Sequence, residues 1–555
     1  MPRLTIQDLD AFAQRVTTVP DKPVIKVGMS TCGVAAGAEP VFDALKQELQ
    51  VHGLDWNLRR TGCVGTCSLE PLVEVDVPGQ PAVTYGGVTP EWARQVVAEY
   101  AERGQLSAEH RVPSLSQITR FAGDPLAGEG PRQYRIVLRN CGVIDPENID
   151  EYIARGGYQA LKKVLSSMSP DQVIEEIKVS GLRGRGGAGF ATWMKWRFTR
   201  KAEGDERFII CNGDEGDPGA YMDRSVLEGD PHAVIEGMIV GGYVIGASMG
   251  FFYIRAEYPL AIQRIERAIR QARAYGLLGK NILGSDFSFD LEVRLGAGAF
   301  VCGEETALIA SVEGKRGTPT PRPPYPSVKG LWGKPTMINN VETLANVPQI
   351  LVRGGKWFSG IGKGKSTGTK VFAVTGKVRH SGLVEVPMGT SLRTVVEGIS
   401  GGVAEGHHVK AVQTGGPSGG LIPASQLDTP ITYEHLQQLG SIMGSGGMIV
   451  MDETDSVVDL IRFYLGFCVD ESCGKCAPCR VGGTQLLRLL NRFVEHKAKK
   501  KDLATVRRMA HAMQKASLCG LGQTAPNPVI SALRYFEPEF QERVAPAEAN
   551  SPTGN

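Results

Sequence analysis

The chain has almost no charge imbalance: 61 Lys and Arg stand against 59 Asp and Glu, a net charge of +2 over 555 residues. That balance gives no electrostatic ground for nucleic acid or an anionic membrane surface as partner. The start, Met1-Pro2-Arg3-Leu4, has neither the basic nor the apolar region of a secretory signal, so a cytoplasmic protein is expected. No long apolar run is free of charge. The most apolar stretch, Val234 to Ile254, contains Glu236 and several glycines and continues into Arg255-Ala256-Glu257. It reads as a buried helix leading into a buried strand, with no direct membrane span. The 11 cysteines are odd in number and cluster late, which argues against a disulfide framework and for metal chemistry in a reducing compartment. Apolar (42%) and charged (22%) fractions are those of an ordinary globular chain long enough for several domains.

What the chain does have is a glycine- and arginine-rich stretch, Gly181-Leu182-Arg183-Gly184-Arg185-Gly186-Gly187-Ala188-Gly189-Phe190. Such a segment packs no core, but its backbone can run against a flat, charged ligand with N–H groups aimed at phosphate. Gly184, Gly186 and Gly189 spell G-x-G-x-x-G. The dinucleotide fingerprint needs a strand in front, whereas Ser169-Pro170-Asp171 opens a capped amphipathic helix. A different phosphate-handling loop is expected.

Two further segments read as strands ending in acidic, glycine-rich turns, the place where open α/β sheets hold ligands. One is Phe208-Ile209-Ile210-Cys211 followed by Asn212-Gly213-Asp214-Glu215-Gly216-Asp217; the other is Phe300-Val301-Cys302 followed by Gly303-Glu304-Glu305. The acids could hold a metal, though no His stands near, or accept hydrogen bonds from ribose or ring N–H groups. Nothing nucleophilic accompanies the paired carboxylates, which disfavours a hydrolase. Cys211 and Cys302 read as buried core. Thr318 to Pro326 is proline-rich and reads as a rigid wall presenting Arg322 and Tyr325, and Asn339-Asn340 adds two amides before a helix.

Cys473, Cys476 and Cys479 follow C-x2-C-x2-C, and Cys519 can supply a fourth thiolate. Thiolates so spaced can wrap one face of an iron–sulfur cube, whereas zinc more often takes separated pairs or mixed Cys/His ligands. Cys468, between Phe467 and Val469, reads as core. The flanking segments have helical periodicity.

Taken together, the loop 181–190, the turn 212–219, residues 296–308, 322–326 and 339–343 resemble the FMN- and NADH-binding subunit of respiratory complex I. They equally resemble its relatives in NAD-linked soluble hydrogenases and formate dehydrogenases, over about Tyr134 to Phe536. The resemblance implies that Gly184, Arg185, Gly186, Lys195, Asn212, Asp214, Glu215, Asn339 and Asn340 hold FMN. It also implies that Gly187, Phe190, Phe198, Glu304, Glu305, Arg322 and Tyr325 receive NADH, that Asp217, Phe300 and Gly303 belong to the cofactor site, and that Cys473, Cys476, Cys479 and Cys519 bind a [4Fe–4S] cluster. Asp217, Phe300, Arg322 and Tyr325 depart from the complex I form toward the hydrogenase and formate dehydrogenase branch.

The resemblance further implies a multidomain α/β fold. A thioredoxin-like domain (1–105) and a linker (106–133) precede a Rossmann-like FMN/NADH domain (134–365). A small β-grasp domain (366–435), a helical [4Fe–4S] domain (436–545) and a disordered tail (546–555) complete it. The first domain resembles the thioredoxin-like [2Fe–2S] domain of NADH dehydrogenases, which uses C-x4-C and C-x3-C. Here Cys32, Cys63 and Cys67 are present, but Val27 and Gly37 stand five residues either side of Cys32. One ligand is missing, so a vestigial docking domain is the first expectation and a [2Fe–2S] cluster the second. The function implied is an NADH dehydrogenase (diaphorase) subunit. NADH would reduce FMN, and single electrons would pass through the [4Fe–4S] cluster to a thioredoxin-like [2Fe–2S] subunit and a further iron–sulfur or catalytic redox subunit. The alternatives are the equivalent subunit of a proton-pumping complex I, and a flavin-free relay or docking subunit.

Overall fold

The computed structural model describes residues 3–16, 22–113 and 133–546. Most of the expected linker (106–133) and tail (546–555) lies outside them.

The alternating apolar residues of Val24-Ile25-Lys26-Val27 make β1 (Val24–Gly28), the centre of a first sheet. With β2 (Asn57–Thr61), β3 (Val73–Asp76), β4 (Val83–Tyr85) and β5 (Arg111–Val112) it runs in the order β2-β1-β3-β4-β5. β1 is parallel to β2 and antiparallel to β3. The helices Ala38–Val51 and Pro90–Arg103 bury Val41, Leu45, Trp92 and Val96 against it. β2, Asn-Leu-Arg-Arg-Thr, has a single apolar residue, so sequence pattern gave it no signal; pairing with β1 defines it. The first residues do not belong to this unit. Leu4 and Leu9 enter the core of the next one, beside Ile149 and Tyr275, and the Leu4 N–H donates to the Tyr275 carbonyl at 2.9 Å. The expected 1–105 boundary is corrected accordingly.

Three strands of the central sheet are buried on both faces, as their apolar runs require, and the fourth forms a half-exposed edge. β6 (Phe208–Gly213), β7 (Met249–Arg255), β8 (Asp290–Gly296) and β9 (Thr336–Asn340) are all parallel, in the order β8-β7-β6-β9. The direction of winding therefore reverses between β6 and β9, which opens a crevice at their carboxyl ends. The apolar run at 234–254 splits as expected at Gly246 (φ +74) into the buried helix Pro231–Ile245 and β7. Among the described residues no helix is long and apolar enough to cross a membrane. Phe300–Gly303, read from sequence as a strand, is one turn of 3-10 helix: its tertiary partners, not its short apolar run, decide the backbone.

After the hairpin β10 (Gly362–Lys363) and β11 (Ser366–Thr367) comes a mixed sheet, β12 (Thr369–Gly376), β13 (Gly382–Pro387), β14 (Val409–Thr414), β15 (Gly420–Pro423) and β16 (Gly447–Asp452). Its order is β13-β12-β16-β14-β15. β16 lies parallel to β12 in its interior, so this unit reaches past the expected limit at residue 435. The helices Val457–Asp470, Gly483–Val494 and Lys500–Ala516 follow, as periodicity predicted, around a core with Ile461, Leu490 and Val506. A buried ion pair, Lys370 with Glu342, joins the mixed sheet to the helix after β9. Lys370 also donates to the carbonyls of Val371 and Ser445, the full satisfaction a buried charge needs.

Candidate functional site

The crevice between β6 and β9 holds a cavity of about 530 Å³, ample for a nucleotide-sized ligand. One wall is the glycine loop. It follows the helix Pro170–Ser180, which carries a full Ser169/Gln172 capping box and ends at Gly181 in the left-handed conformation. No strand precedes it, so the G-x-G-x-x-G spelling is indeed not the dinucleotide fingerprint. Gly186 and Gly187 line the cavity. Gly189 has φ +62, and a Cβ there would stand 2.6 Å from the Tyr433 ring. The loop is thus pressed against a residue of another unit, and Tyr433 fixes it by donating its hydroxyl to the Gly184 carbonyl at 2.9 Å. The Arg183 guanidinium lies 4.1 Å over the same ring.

Arg185, expected to hold FMN, is only 1% exposed. Its guanidinium donates to the carbonyls of Thr369, Arg183 and Thr367, so it fastens the loop to β11 and β12 rather than facing the cavity. Asn339 is likewise turned inward, accepting from the Trp196 indole at 2.9 Å. Its neighbour Asn340 does line the cavity, caps the helix Val341–Arg353 and donates to Asp223 at 2.5 Å.

The floor is the turn after β6. Asn212 donates to the Gly303 carbonyl at 2.9 Å and accepts from the Asp214 N–H. Glu215 is clamped by the N–H groups of Asp223 and Arg224. Asp217 accepts from Ser445 at 2.9 Å, and burial still holds its carboxyl at about 6. Asp214 differs: both carboxylate oxygens are buried without a donor, and burial pushes it up to about 7. Two orphaned acceptors in a cavity suit a ligand that brings hydroxyl or N–H donors, as the ribityl chain and ring of FMN do.

Phe300, Gly303 and Glu304 complete that side. One oxygen of Glu304 caps the helix Glu305–Val312 through the N–H groups of Thr306 and Ala307. Outside the cavity proper lies a charged group. Lys195 contacts Glu305, and Arg322 stands 3.9 Å from Glu304 and 4.0 Å from Glu305. Burial, with Arg322 nearby, lowers the Lys195 ammonium to about 8. Phe190, Phe198 and Tyr325 are about half exposed, apolar surface available for stacking. Several lining residues went unread in the sequence: Tyr433, Ser441, Gly444 and Ser445 come from the mixed-sheet unit. Their signal was the glycine-rich run Gly444-Ser445-Gly446-Gly447.

Cys473, Cys476, Cys479 and Cys519 converge around a small cavity with Ser472 and Leu521. Cys519 is the N-cap of the helix Gly520–Thr524. Burial pushes its thiol up, opposed by the N–H groups of Gly522 and Leu521, donors that favour thiolate. Four cysteines converging from C-x2-C-x2-C and a distant helix start fit a [4Fe–4S] cluster. Cys468 is buried in the helical core and absent from the lining of that cavity, and burial pushes its thiol up to about 12. Leu521 lines both cavities, so the two candidate cofactor sites share a wall residue. Cys32, Cys63 and Cys67 also come together, in the first unit.

Two family models match: the Nuo51 FMN-binding domain over residues 177–349, and the NADH-ubiquinone oxidoreductase-F iron–sulfur binding region over residues 459–543. The NADP-reducing hydrogenase subunit HndC of Solidesulfovibrio fructosivorans is 55% identical over 413 residues, 74% of this chain and 84% of that protein. The F 2 subunit of the NADH-quinone oxidoreductase of Rhizobium meliloti is 45% identical over 405 residues, 73% of this chain and 96% of that protein. Among solved structures, a chain of an NAD+-reducing [NiFe]-hydrogenase in the air-oxidized state superposes with a TM-score of 0.66 at 30% identity. That match covers 98% of this chain and 89% of the other.

Proposed function

We propose the assembly and site roles below from one premise: the chain belongs to the Nuo51 family of NADH-quinone oxidoreductase subunits, whose members include hydrogenase diaphorase subunits. It is an FMN- and iron–sulfur-dependent oxidoreductase subunit that binds NADH and passes electrons to partner subunits. FMN supplies the step no side chain here can perform, taking two electrons together and releasing them singly.

The protein's part is position. The Gly186–Gly187 backbone would lie against the flavin, with Asn212, Asp214 and Asn340 accepting from or donating to its polar edge. Glu304, Glu305, Arg322, Phe198 and Tyr325 would receive the dinucleotide at the mouth. Arg185 and Asn339 act as positioning residues. We read the central sheet as the family's Rossmann-like domain, the mixed sheet as β-grasp, and the first sheet as thioredoxin-like. The observation that carries the reading is Leu521, which touches the flavin-side cavity and the Cys519 cavity at once.

A soluble, cytoplasmic NAD-linked complex of the hydrogenase or formate dehydrogenase type is favoured over a proton-pumping one. In support, the likeness to the hydrogenase chain extends over the first unit as well, covering 98% of the sequence, and the hydrogenase subunit HndC is 55% identical where the quinone oxidoreductase relative from R. meliloti is 45%. The partners would be a thioredoxin-like [2Fe–2S] subunit and a further redox subunit. The test is an anaerobic NADH titration of the purified chain: flavin bleaching followed by a reduced [4Fe–4S] EPR signal is expected. Absence of bleaching by either nicotinamide with flavin bound would overturn the NADH assignment. Co-purification with nickel–iron, molybdenum or tungsten supports the soluble complex; co-purification with membrane-embedded subunits overturns it.

A further inference from the structure

The three cysteines of the first unit are not the remains of a site with a hole in it. The sulfurs of Cys32, Cys63 and Cys67 all lie within 4.8 Å of one another, with Cys63 and Cys67 4.0 Å apart. A fourth group, Glu70, adjoins Cys32 and lies outside the 4.8 Å trio. Glu70 Oε1 is 3.9 Å from the Cys32 sulfur, while its other oxygen accepts from the Leu72 N–H at 3.0 Å, which fixes the carboxylate's orientation. Gly28 makes the room it fills: a Cβ built there would stand 3.0 Å from Glu70 Oε2. The carboxylate therefore occupies the side from which a longer residue at position 28 would reach the cysteines.

The surroundings are electrostatically unfinished. Arg135, 2% exposed, has both terminal guanidinium nitrogens without a partner, and one of them would stand 3.3 Å from a Cβ at Gly65, within the Cys63–Cys67 turn. Arg224, with an unpartnered buried Nε, lies over the Tyr221 ring, and the Tyr221 hydroxyl faces the Cys67 sulfur at 3.6 Å. Arg224 already has Glu228 3.9 Å from that Nε, but the buried Arg135 guanidinium, with both terminal nitrogens unpartnered, is costly as it stands. A dication held by three thiolates and a carboxylate carries two net negative charges, which Arg135 would offset in part.

Spacing chooses the occupant. With metal–sulfur bonds of about 2.3 Å, two thiolates on one tetrahedral metal lie roughly 3.8 Å apart, which Cys63 and Cys67 at 4.0 Å match for zinc and for one iron of a pair alike; the discriminating sulfur is Cys32, within 4.8 Å of both. A two-iron cluster divides its ligands between two metals and spreads them further. Among the described residues, the trios packed within 4.8 Å include Cys32, Cys63 and Cys67, but none drawn from Cys473, Cys476, Cys479 and Cys519. The two cysteine sites differ in size as a single ion differs from a cluster.

We propose that Cys32, Cys63, Cys67 and Glu70 bind one tetrahedral divalent ion of the zinc class. Binding displaces the thiol protons to solvent and changes no oxidation state. The ion locks the turn that docks this unit on its neighbours, where the Thr31 N–H donates to Glu228 at 2.9 Å and the Gly65 carbonyl accepts from Leu383 at 2.8 Å. The inference does not rest on the flavin reading.

The test is metal analysis of the full chain, purified anaerobically from cells supplied with iron and zinc. One zinc per chain beside the iron of the [4Fe–4S] cluster is expected. Iron beyond one [4Fe–4S] cluster, with a [2Fe–2S] EPR signal after dithionite, would overturn it, as would no second metal with all three thiols reactive. With cobalt as the probe, the wild type should show intense tetrahedral thiolate–cobalt absorption. Glu70→Ala should weaken cobalt binding by about tenfold or more, and Glu70→Cys should retain it with a stronger sulfur-to-metal band. Equal binding by wild type and Glu70→Ala removes Glu70 from the site. Should Glu70→Ala fail to fold, the wild-type zinc count and the Glu70→Cys spectrum decide.

Discussion

Ser445 donates its hydroxyl to Asp217 at 2.9 Å and so ties the turn after β6 to the glycine-rich run before β16. The two residues are 228 apart in sequence, and the cavity floor depends on that bridge. The bond favours the ionised carboxylate, which burial disfavours and holds at about 6. Ser445→Ala should therefore cost about 1–3 kcal/mol above pH 7, where the carboxylate is charged and left without its donor. Near pH 5 the loss should shrink. Thermal unfolding of wild type and variant at the two pH values checks this; an equal loss at both would contradict it.

Asp214 gives the opposite pH signature, because nothing in the protein satisfies it. Its folded value of about 7 lies above the ordinary 3.8 of an aspartate in the unfolded chain. The stability it contributes is fully present below pH 3.8 and is lost as pH rises toward 7, since only the folded state still holds the proton. In flavin-free protein, Asp214→Asn should raise the Tm at pH 8 and change it little near pH 4. A Tm gain independent of pH would show that the carboxyl is not the group being relieved.

The glycine loop makes a steric prediction. Gly189→Ala meets both a left-handed φ of +62 and the Tyr433 ring 2.6 Å away, whereas Gly402→Ala meets only its φ of +70, with nothing within 4 Å. The second should cost about 1 kcal/mol and leave flavin affinity alone. The first should displace the loop and lower flavin affinity by an order of magnitude or more, read by fluorescence titration. Equal affinities for the two variants would show that Tyr433 is not the constraint.

These residues also mark where the sequence was legible. The loop 181–190 and the cysteine triplet 473–479 were readable because their chemistry is local: spacing within a dozen residues states the need for backbone approach or for thiolates on a cluster. Arg185 misled for the same reason. An arginine inside a glycine loop looks like an anion contact, but its donors meet carbonyls of Thr367 and Thr369, nearly the length of a domain away. Tyr433 was silent because it is an ordinary residue made functional only by long-range packing, and Ser445 was marked only by the glycines around it. β2 was silent because edge pairing, not apolar pattern, forms it.

The quartet itself allows a paired experiment, because five cysteines lie between residues 468 and 519 and the structure separates them by role. Cys519 caps the helix that carries Leu521 and faces the cluster cavity. Cys468 is 2% exposed, and burial pushes its thiol up to about 12, so it stays a neutral core group. Cys519→Ser should strip iron or leave a defective cluster, abolish the NADH-reducible [4Fe–4S] EPR signal, and leave flavin bleaching by NADH intact. Cys468→Ser should keep iron, EPR and bleaching at wild-type levels and lower only the Tm, because a hydroxyl replaces a small apolar group in the core. Loss of iron in the Cys468 variant with retention in the Cys519 variant would exchange their roles. Loss of bleaching along with the cluster in Cys519→Ser would mean that the wall at Leu521 holds the flavin as well as separating it from the iron.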